Sequence, residues 1–282
     1  MSAADAFVGR EFDYTAHDFE RVRRLIRGRV GIALNDSKQN MVYNRLVKRL
    51  RLLAVESFSD YLALLDDAAH PEWQHFVNAL TTNLSHFFRE EYHFPILVEH
   101  MRALAGAGRA PLRVWSAAAS TGEEPYSIAI ALCEAFATMQ PPVEILGTDI
   151  DTHVLEHAQR GVYAMERVEQ IEPGRLKRFF LRGTGANAGH AKVRPELARL
   201  IQYRRLNLTE ERWDLAQRFD AVFCRNVMIY FDKATQHQVL RRIHRVLAPD
   251  GLLFAGHSES FLHAAELFRP AGKTVYRPVA GA

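Results

Sequence analysis

From residue 112 onward, short apolar runs alternate with longer stretches of helical period. The runs predict strands at 112–116, 143–148, 219–224, 251–256 and 273–277, and the longer stretches predict helices at 124–139, 151–159 and 233–247. This alternation predicts an α/β fold, a mostly parallel sheet with helices on both faces. The last two strands are separated by a long connection, Ser258 to Gly272, which suits an antiparallel final strand. Residues 16–80 carry helical spacing alone. One helix runs through Asp18–Ile26, and a second covers about 37–53 with Asn35 or Asp36 as its cap. A third runs from Ser57 or Ser59 to Leu65, and a fourth from Pro71 to about Thr82.

Two stretches interrupt the pattern. Residues 83–111 bridge the helical and alternating parts, with a Gly/Ala-rich loop from Ala105 to Pro111. Residues 161–206 hold short apolar/polar alternations around a Gly183–Gly189 turn and predict a small inserted β-subdomain. The division is therefore 1–82, a bridge at 83–111, and 112–282 with an insertion at about 161–206.

Length and composition change this picture little. The chain has 282 residues, 48% hydrophobic and 24% charged, which suits a soluble globular protein of one large and one small domain. No apolar run reaches the roughly 20 residues of a membrane span. Met1–Gly9 lacks a leader pattern. The two cysteines, Cys133 and Cys224, read as buried thiols in a reducing cytoplasm. The thirteen histidines form no metal-ligand motif. Charge is more informative in its distribution than in its net value of +3. Residues 10–53 hold eleven basic residues against five acidic ones. On the second helix Val42, Leu46, Leu50 and Leu53 share one arc, and Lys38, Arg45, Lys48 and Arg49 fall nearly opposite. That basic arc is either a solvated face or a dock for an anionic macromolecule.

Candidate chemistry concentrates at strand ends. Leu112, Val114 and Trp115 lead into Ser116–Gly122, which carries no bulky side chain, and a helix follows. A helix N-terminus opening from such a loop is a nucleotide site. Glu123 and Glu124 would repel a pyrophosphate there and suit a cationic ligand with a ribose diol, as in S-adenosylmethionine. The second strand ends at Asp149, placed to accept the diol, although Asp149 or Asp151 could simply cap the next helix. Arg225 and Asn226 follow the apolar run Phe219–Cys224, and Asn207–Leu208 follow a strand-like run in the same way. In the bridge, Asn83, Ser85 and Arg89 interleave with Leu84, Phe87 and Phe88, which suits burial of the phenylalanines and delivery of the polar groups to the site.

The runs Ala79–Glu90, Val114–Ala129, Gly147–Asp151, Phe219–Asp232 and Pro249–Glu259 together resemble the CheR family, the S-adenosylmethionine-dependent methyltransferases of bacterial chemotaxis receptors. The resemblance spans about residues 14–277. It implies a helical N-terminal substrate-docking domain, then a class I methyltransferase domain, Rossmann-like, with a small antiparallel β-subdomain. It implies a cofactor site of Asn83, Ser85, Arg89, Glu123, Asp149, Asn207, Leu208, Arg225 and Asn226, with S-adenosylhomocysteine as product. Ser85 stands where the family has threonine, and Ala117–Gly122 replaces the glycine-rich loop of other methyltransferases. The implied reaction is methyl transfer to receptor glutamates, forming glutamyl methyl esters. Arg89 and Arg225 would orient carboxylates, and Tyr230 would line the substrate side. Lys38, Arg45, Lys48 and Arg49 would dock on acidic receptor helices. The β-subdomain could take a receptor's C-terminal pentapeptide. The implied protein is a cytoplasmic monomer with no nucleic-acid partner. Two other readings remain: an RNA methyltransferase using the basic module, and a non-catalytic sensor of S-adenosylmethionine.

Overall fold

A computed structural model describes residues 11–215 and 217–281, so Met1–Gly9 and Arg10 lie outside the described residues. The chain forms two compact units. One holds the chain up to Thr82 together with Tyr230–Asp232, and the other holds Asn83–Ile229 and Lys233 onward.

The first unit contains α1 (Ala16–Val30), α2 (Gln39–Leu53), α3 (Phe58–Leu64) and α4 (Glu72–Leu80). Thr15 and Asp18 close a capping box that starts α1, two residues before Asp18, and Gly31 ends it in the left-handed region. A 3-10 turn, Asp36–Lys38, precedes α2. Ser57 caps α3 by accepting from the Asp60 N–H. Val22, Ile26, Val42, Leu46, Leu50, Tyr61, Leu62 and Phe76 are buried, while Leu53, expected on the same arc, is 38% exposed.

The basic arc of α2 divides. Lys38 and Lys48 are exposed. Arg49 instead makes paired bonds to the buried Glu72, 2.8 Å from Nε and 2.7 Å from Nη2, and the Tyr61 hydroxyl donates to the same carboxylate at 2.9 Å. Arg45 donates to the carbonyls of Ala79 (3.3 Å) and Thr81 (2.5 Å) at the end of α4. Arg45 and Arg49, expected to dock on a partner with Lys38 and Lys48, thus also bond within this unit. Their long stems reach α4, where a buried carboxylate and open helix carbonyls need donors.

The second unit opens with α5 (His93–Gly106), which buries Phe94, Leu97, Met101 and Leu104 within the stretch expected to be a bridge. Then follow β1 (Leu112–Ser116), α6 (Glu123–Ala135), β2 (Val143–Asp149), α7 (Thr152–Arg160), β3 (Val162–Ala164), α8 (Met165–Val168), α9 (Pro173–Phe179), β4 (Phe180–Arg182), β5 (His190–Val193), α10 (Pro195–Ala198), β6 (Ile201–Arg205), β7 (Phe219–Cys224), α11 (Lys233–Val246), β8 (Leu247–Ala255), β9 (Phe268–Gly272) and β10 (Val275–Pro278). The large sheet has the order β6-β2-β1-β7-β8-β10-β9. The first five of these run parallel, and β10 runs antiparallel to both its neighbours. The small sheet, β3-β5-β4, is antiparallel. Residues 201–205, expected in the small sheet, pair with β2 in the large one, with Ile201 opposite Ile145. β9 lies within the long connection from Ser258 to Gly272.

Among the described residues, no helix is long and apolar enough to cross a membrane.

Candidate functional site

The loop from β1 to α6 is pinned to both neighbouring strands. The Ala117 N–H donates to the Phe223 carbonyl of β7 and the Ala119 N–H to the Thr148 carbonyl of β2, both at 2.8 Å. Gly122 then turns the chain with φ +97°. A Cβ there would lie 2.8 Å from Ala158 Cβ and 2.9 Å from the Tyr163 hydroxyl, so both conformation and space demand glycine. The small residues of this loop thus let strand end, helix α7 and the small sheet approach one another.

Asp149, at the end of β2, is 8% exposed. Its Oδ2 accepts the Ser120 N–H at 2.9 Å and its Oδ1 the Asp151 N–H at 3.0 Å. Burial pushes its carboxyl up to about 6, against the downward pull of those N–H groups. The Ile150 N–H also faces the carboxylate, and the acceptor capacity left on its two oxygens suits a ribose diol. The neighbouring Ser120 hydroxyl is buried without a hydrogen-bond partner among the described residues. The α7 cap falls to Asp151, which accepts the His153 N–H, so Asp149 is released from that alternative duty. Asp151 also accepts from the Asn83 amide at 2.8 Å. The Leu206 N–H bonds the Asp149 carbonyl at 3.0 Å, setting Asn207 and Leu208, both buried, beside the end of β2. Asn207 Oδ1 accepts the N–H and hydroxyl of Thr209.

The two glutamates at the start of α6 separate. Glu123, fully buried, accepts the Thr121 hydroxyl at 2.6 Å and pairs with Arg167 of α8. Arg167 also donates to the carbonyl of Ser85 at 2.7 Å. Glu124 accepts the Ser116 hydroxyl at 2.7 Å and pairs with Arg225 at 3.1 Å. Burial pushes the Glu124 carboxyl up, and Arg225 opposes this. Arg225, its side chain 1% exposed, also bonds the Arg89 carbonyl at 2.5 Å and lies 3.4 Å from Glu90. The carboxylates that Arg225 orients are therefore the chain's own, and only its Nε lacks a partner among the described residues. Arg225, expected both in the cofactor site and orienting carboxylates, is thus held by Glu124, Glu90 and the Arg89 backbone. Arg89 is half-buried, with Nη1 on the Leu84 carbonyl at 2.9 Å. Tyr230 belongs to the helical unit, where its carbonyl accepts the Ala33 N–H at 2.9 Å.

Three groups that the sequence reading missed support this arrangement. Glu259 accepts four backbone N–H groups: Asn226 (2.8 Å) and Gly256 (2.6 Å) on Oε2, and Val227 (3.0 Å) and Met228 (2.8 Å) on Oε1. It holds Asn226 at φ +58°, and a Cβ on Gly256 would sit 2.4 Å from the Asn226 amide nitrogen. Glutamine at 259 offers one acceptor oxygen for four donors. Glu259→Gln is expected to lower unfolding free energy by about 2–4 kcal/mol in urea titrations. A change under about 0.5 kcal/mol would remove Glu259 from this role.

Glu90 and His93 form the second support. Glu90 accepts the N–H (3.1 Å) and Nδ1 (3.0 Å) of His257. Burial raises its carboxyl, but the His257 bonds and Arg225 hold it down to about 2. His93, fully buried, bonds Thr274 Oγ1 at 2.9 Å through Nε2. Burial, then Arg225, holds it down to about 4. A histidine depressed from 6.5 in the folded state binds its proton first when unfolded. Its contribution is thus complete above about pH 6.5 and is lost as pH falls toward 4, a change of about 3 kcal/mol. Asp149 titrates in the opposite sense over part of this window. The test is therefore the difference between wild-type and His93→Gln stability profiles from pH 7 to 4.5. The variant is expected to show the shallower acid loss, and parallel profiles would refute it.

Residues 83–277 match the SAM binding domain of CheR methyltransferase, and residues 17–81 match its all-alpha domain. The chain is 55% identical over 272 residues to chemotaxis protein methyltransferase 2 of Pseudomonas aeruginosa, covering 96% of each. It is 51% identical over 259 residues to the chemotaxis protein methyltransferase of Escherichia coli K12, covering 92% of this chain and 89% of that one. The buried Asp149 carboxylate at the end of β2, the small-residue loop and the unpartnered Ser120 hydroxyl fit S-adenosylmethionine as cofactor. The chain is a class I methyltransferase of the α/β type and belongs to the CheR family.

Proposed function

We propose that this enzyme transfers a methyl group from S-adenosylmethionine to glutamate side chains of chemoreceptors, forming glutamyl methyl esters during chemotaxis. The observation that carries the reading is Asp149, a buried carboxylate fixed by two backbone N–H groups at the end of β2, in a chain of the CheR family. When bound, S-adenosylmethionine supplies an electrophilic methyl group on a sulfonium. Asp149 holds the ribose diol, with Asn207, Leu208 and Asn226 completing the nucleoside side. Asn83, Ser85, Arg89 and Glu123 surround the amino-acid end, and Arg225 fixes Glu124 and the Arg89 backbone around it.

The nucleophile, a glutamate carboxylate, is already ionised near neutral pH and needs no general base. Positioning carries the rate: holding two reactants in line contributes roughly 7–11 kcal/mol. Arg89, whose Nη1 rests on a backbone carbonyl, is placed to orient a carboxylate of cofactor or substrate. Lys38 and Lys48 face outward and suit acidic receptor helices, giving on-rate and specificity more than raw affinity. The small sheet suits a receptor's tail peptide, and the enzyme works as a cytoplasmic monomer.

The test is incubation with labelled S-adenosylmethionine and receptor, with and without the receptor's last residues. Label released as methanol by mild base is expected. Label that survives base, or cofactor binding without transfer to any receptor, would overturn the ester assignment.

A further inference from the structure

Arg167 is the one cation that touches both Glu123 and the Asn83–Ser85 segment among the described bonds, and it comes from neither. It stands on α8, the single turn that follows β3. From there it crosses to the Ser85 carbonyl at 2.7 Å and to Oε1 of Glu123, 44 residues away in the chain. Glu123 is fully buried, while the Arg167 side chain is 42% exposed. The carboxylate therefore depends on a partner that reaches in from the surface. Thr121 supplies a neutral donor to its other oxygen, and the α6 N-terminus supplies partial positive charge. Neither replaces a full counter-charge for a buried carboxylate.

We propose that Arg167 is a positioning residue for the cofactor. It holds Glu123 in place and fixes the backbone of Ser85 against it, so that the inserted subdomain builds one wall of the site. This rests on the reading of Glu123 and Ser85 as cofactor-binding residues. The guanidinium's planar fork lets a single side chain serve a carbonyl and a carboxylate together. A lysine keeps the charge on Glu123 but gives a less fixed bridge. Glutamine keeps much of the length but loses the charge.

The experiment is calorimetric binding of S-adenosylmethionine and S-adenosylhomocysteine to wild type, Arg167→Gln, Arg167→Lys and Glu123→Gln, and to Arg167→Gln combined with Glu123→Gln. Thermal midpoints and kcat at saturating cofactor are recorded alongside. Arg167→Gln is expected to weaken binding at least about tenfold, with kcat little changed, and Arg167→Lys to recover most of it. In the Glu123→Gln background the arginine should no longer matter, because the group it acts through has lost its charge. Wild-type affinity in Arg167→Gln overturns the proposal. So does an equal loss in both backgrounds, which is what a merely structural arginine produces. Absence of cofactor binding by the wild-type chain overturns the underlying reading as well, and that failure is distinct from a variant that matches a binding wild type.

Discussion

Asp149→Asn is expected to weaken S-adenosylmethionine binding on the order of 30- to 150-fold without unfolding the protein. The carboxylate already accepts the Ser120 and Asp151 N–H groups, one on each oxygen, and the Ile150 N–H besides. Asparagine keeps one such oxygen and turns the other into a donor. The diol then loses one charge-assisted bond and the charge behind the second, about 2–3 kcal/mol. Stability responds differently. A carboxyl raised from 3.8 to about 6 by burial makes the ionised form costly in the folded state, by about 3 kcal/mol at pH 7. The amide removes that cost but leaves one backbone N–H facing another donor, a penalty of about 1–3 kcal/mol. The two nearly cancel, so the thermal midpoint should move by only a few degrees. Wild-type affinity should also fall as pH drops through about 6, where Asp149 takes up its proton, and this dependence should vanish in the variant. Calorimetry at pH 5.5 and 8 measures both effects. Unchanged affinity in Asp149→Asn would remove Asp149 from the diol site.

Asp149 was legible because its signal is local: an apolar strand ends, and an acid follows at the position where a nucleotide fold presents one. β1, β2 and β7 were legible for a related reason. Strands buried on both faces read as near-continuous apolar runs. β6 was assigned to the small sheet because an edge strand needs no such run: Gln202, Arg204 and Arg205 are exposed. β9 buries only Phe268 and vanished into its connection. The spacing of Phe94, Leu97, Met101 and Leu104 carried a helical signal for α5, obscured by Pro95, which the first turn tolerates. The partners of the site charges are a different matter. Arg167 meets Glu123 across 44 residues and Arg225 meets Glu124 across 101. Glu259 reaches Asn226 across 33. Such pairings have no period and leave no mark on either flanking sequence. The same limit explains α2, where a basic arc was visible but the commitment of Arg49 to Glu72 was not.

Arg225→Met is expected to be among the most damaging single changes in the second unit. The side chain is 1% exposed, and its neighbours Glu124 and Glu90 are 13% and 8% exposed. Removing one member of a buried pair leaves an uncompensated charge and costs about 3–5 kcal/mol. The Arg89 carbonyl loses its donor as well. For a unit of this size the thermal midpoint should fall on the order of 10 °C. The pH dependence separates this account from simple loss of packing. Burial already pushes the Glu124 carboxyl up, and Arg225 is the strongest group opposing it. Without the arginine the carboxyl rises further, so stability is lost as pH rises through its folded-state value and regained on acidification. The gap between variant and wild type should therefore be wider at pH 8 than at pH 5.5. Adding Glu124→Gln to Arg225→Met should restore part of the loss, a coupling of about 1–3 kcal/mol. An arginine that acted only on substrate would give the opposite result: a large fall in kcat/KM, an unmoved midpoint and no rescue by Glu124→Gln. Circular-dichroism melts at the two pH values, run beside methyl-transfer kinetics on the same preparations, decide between them.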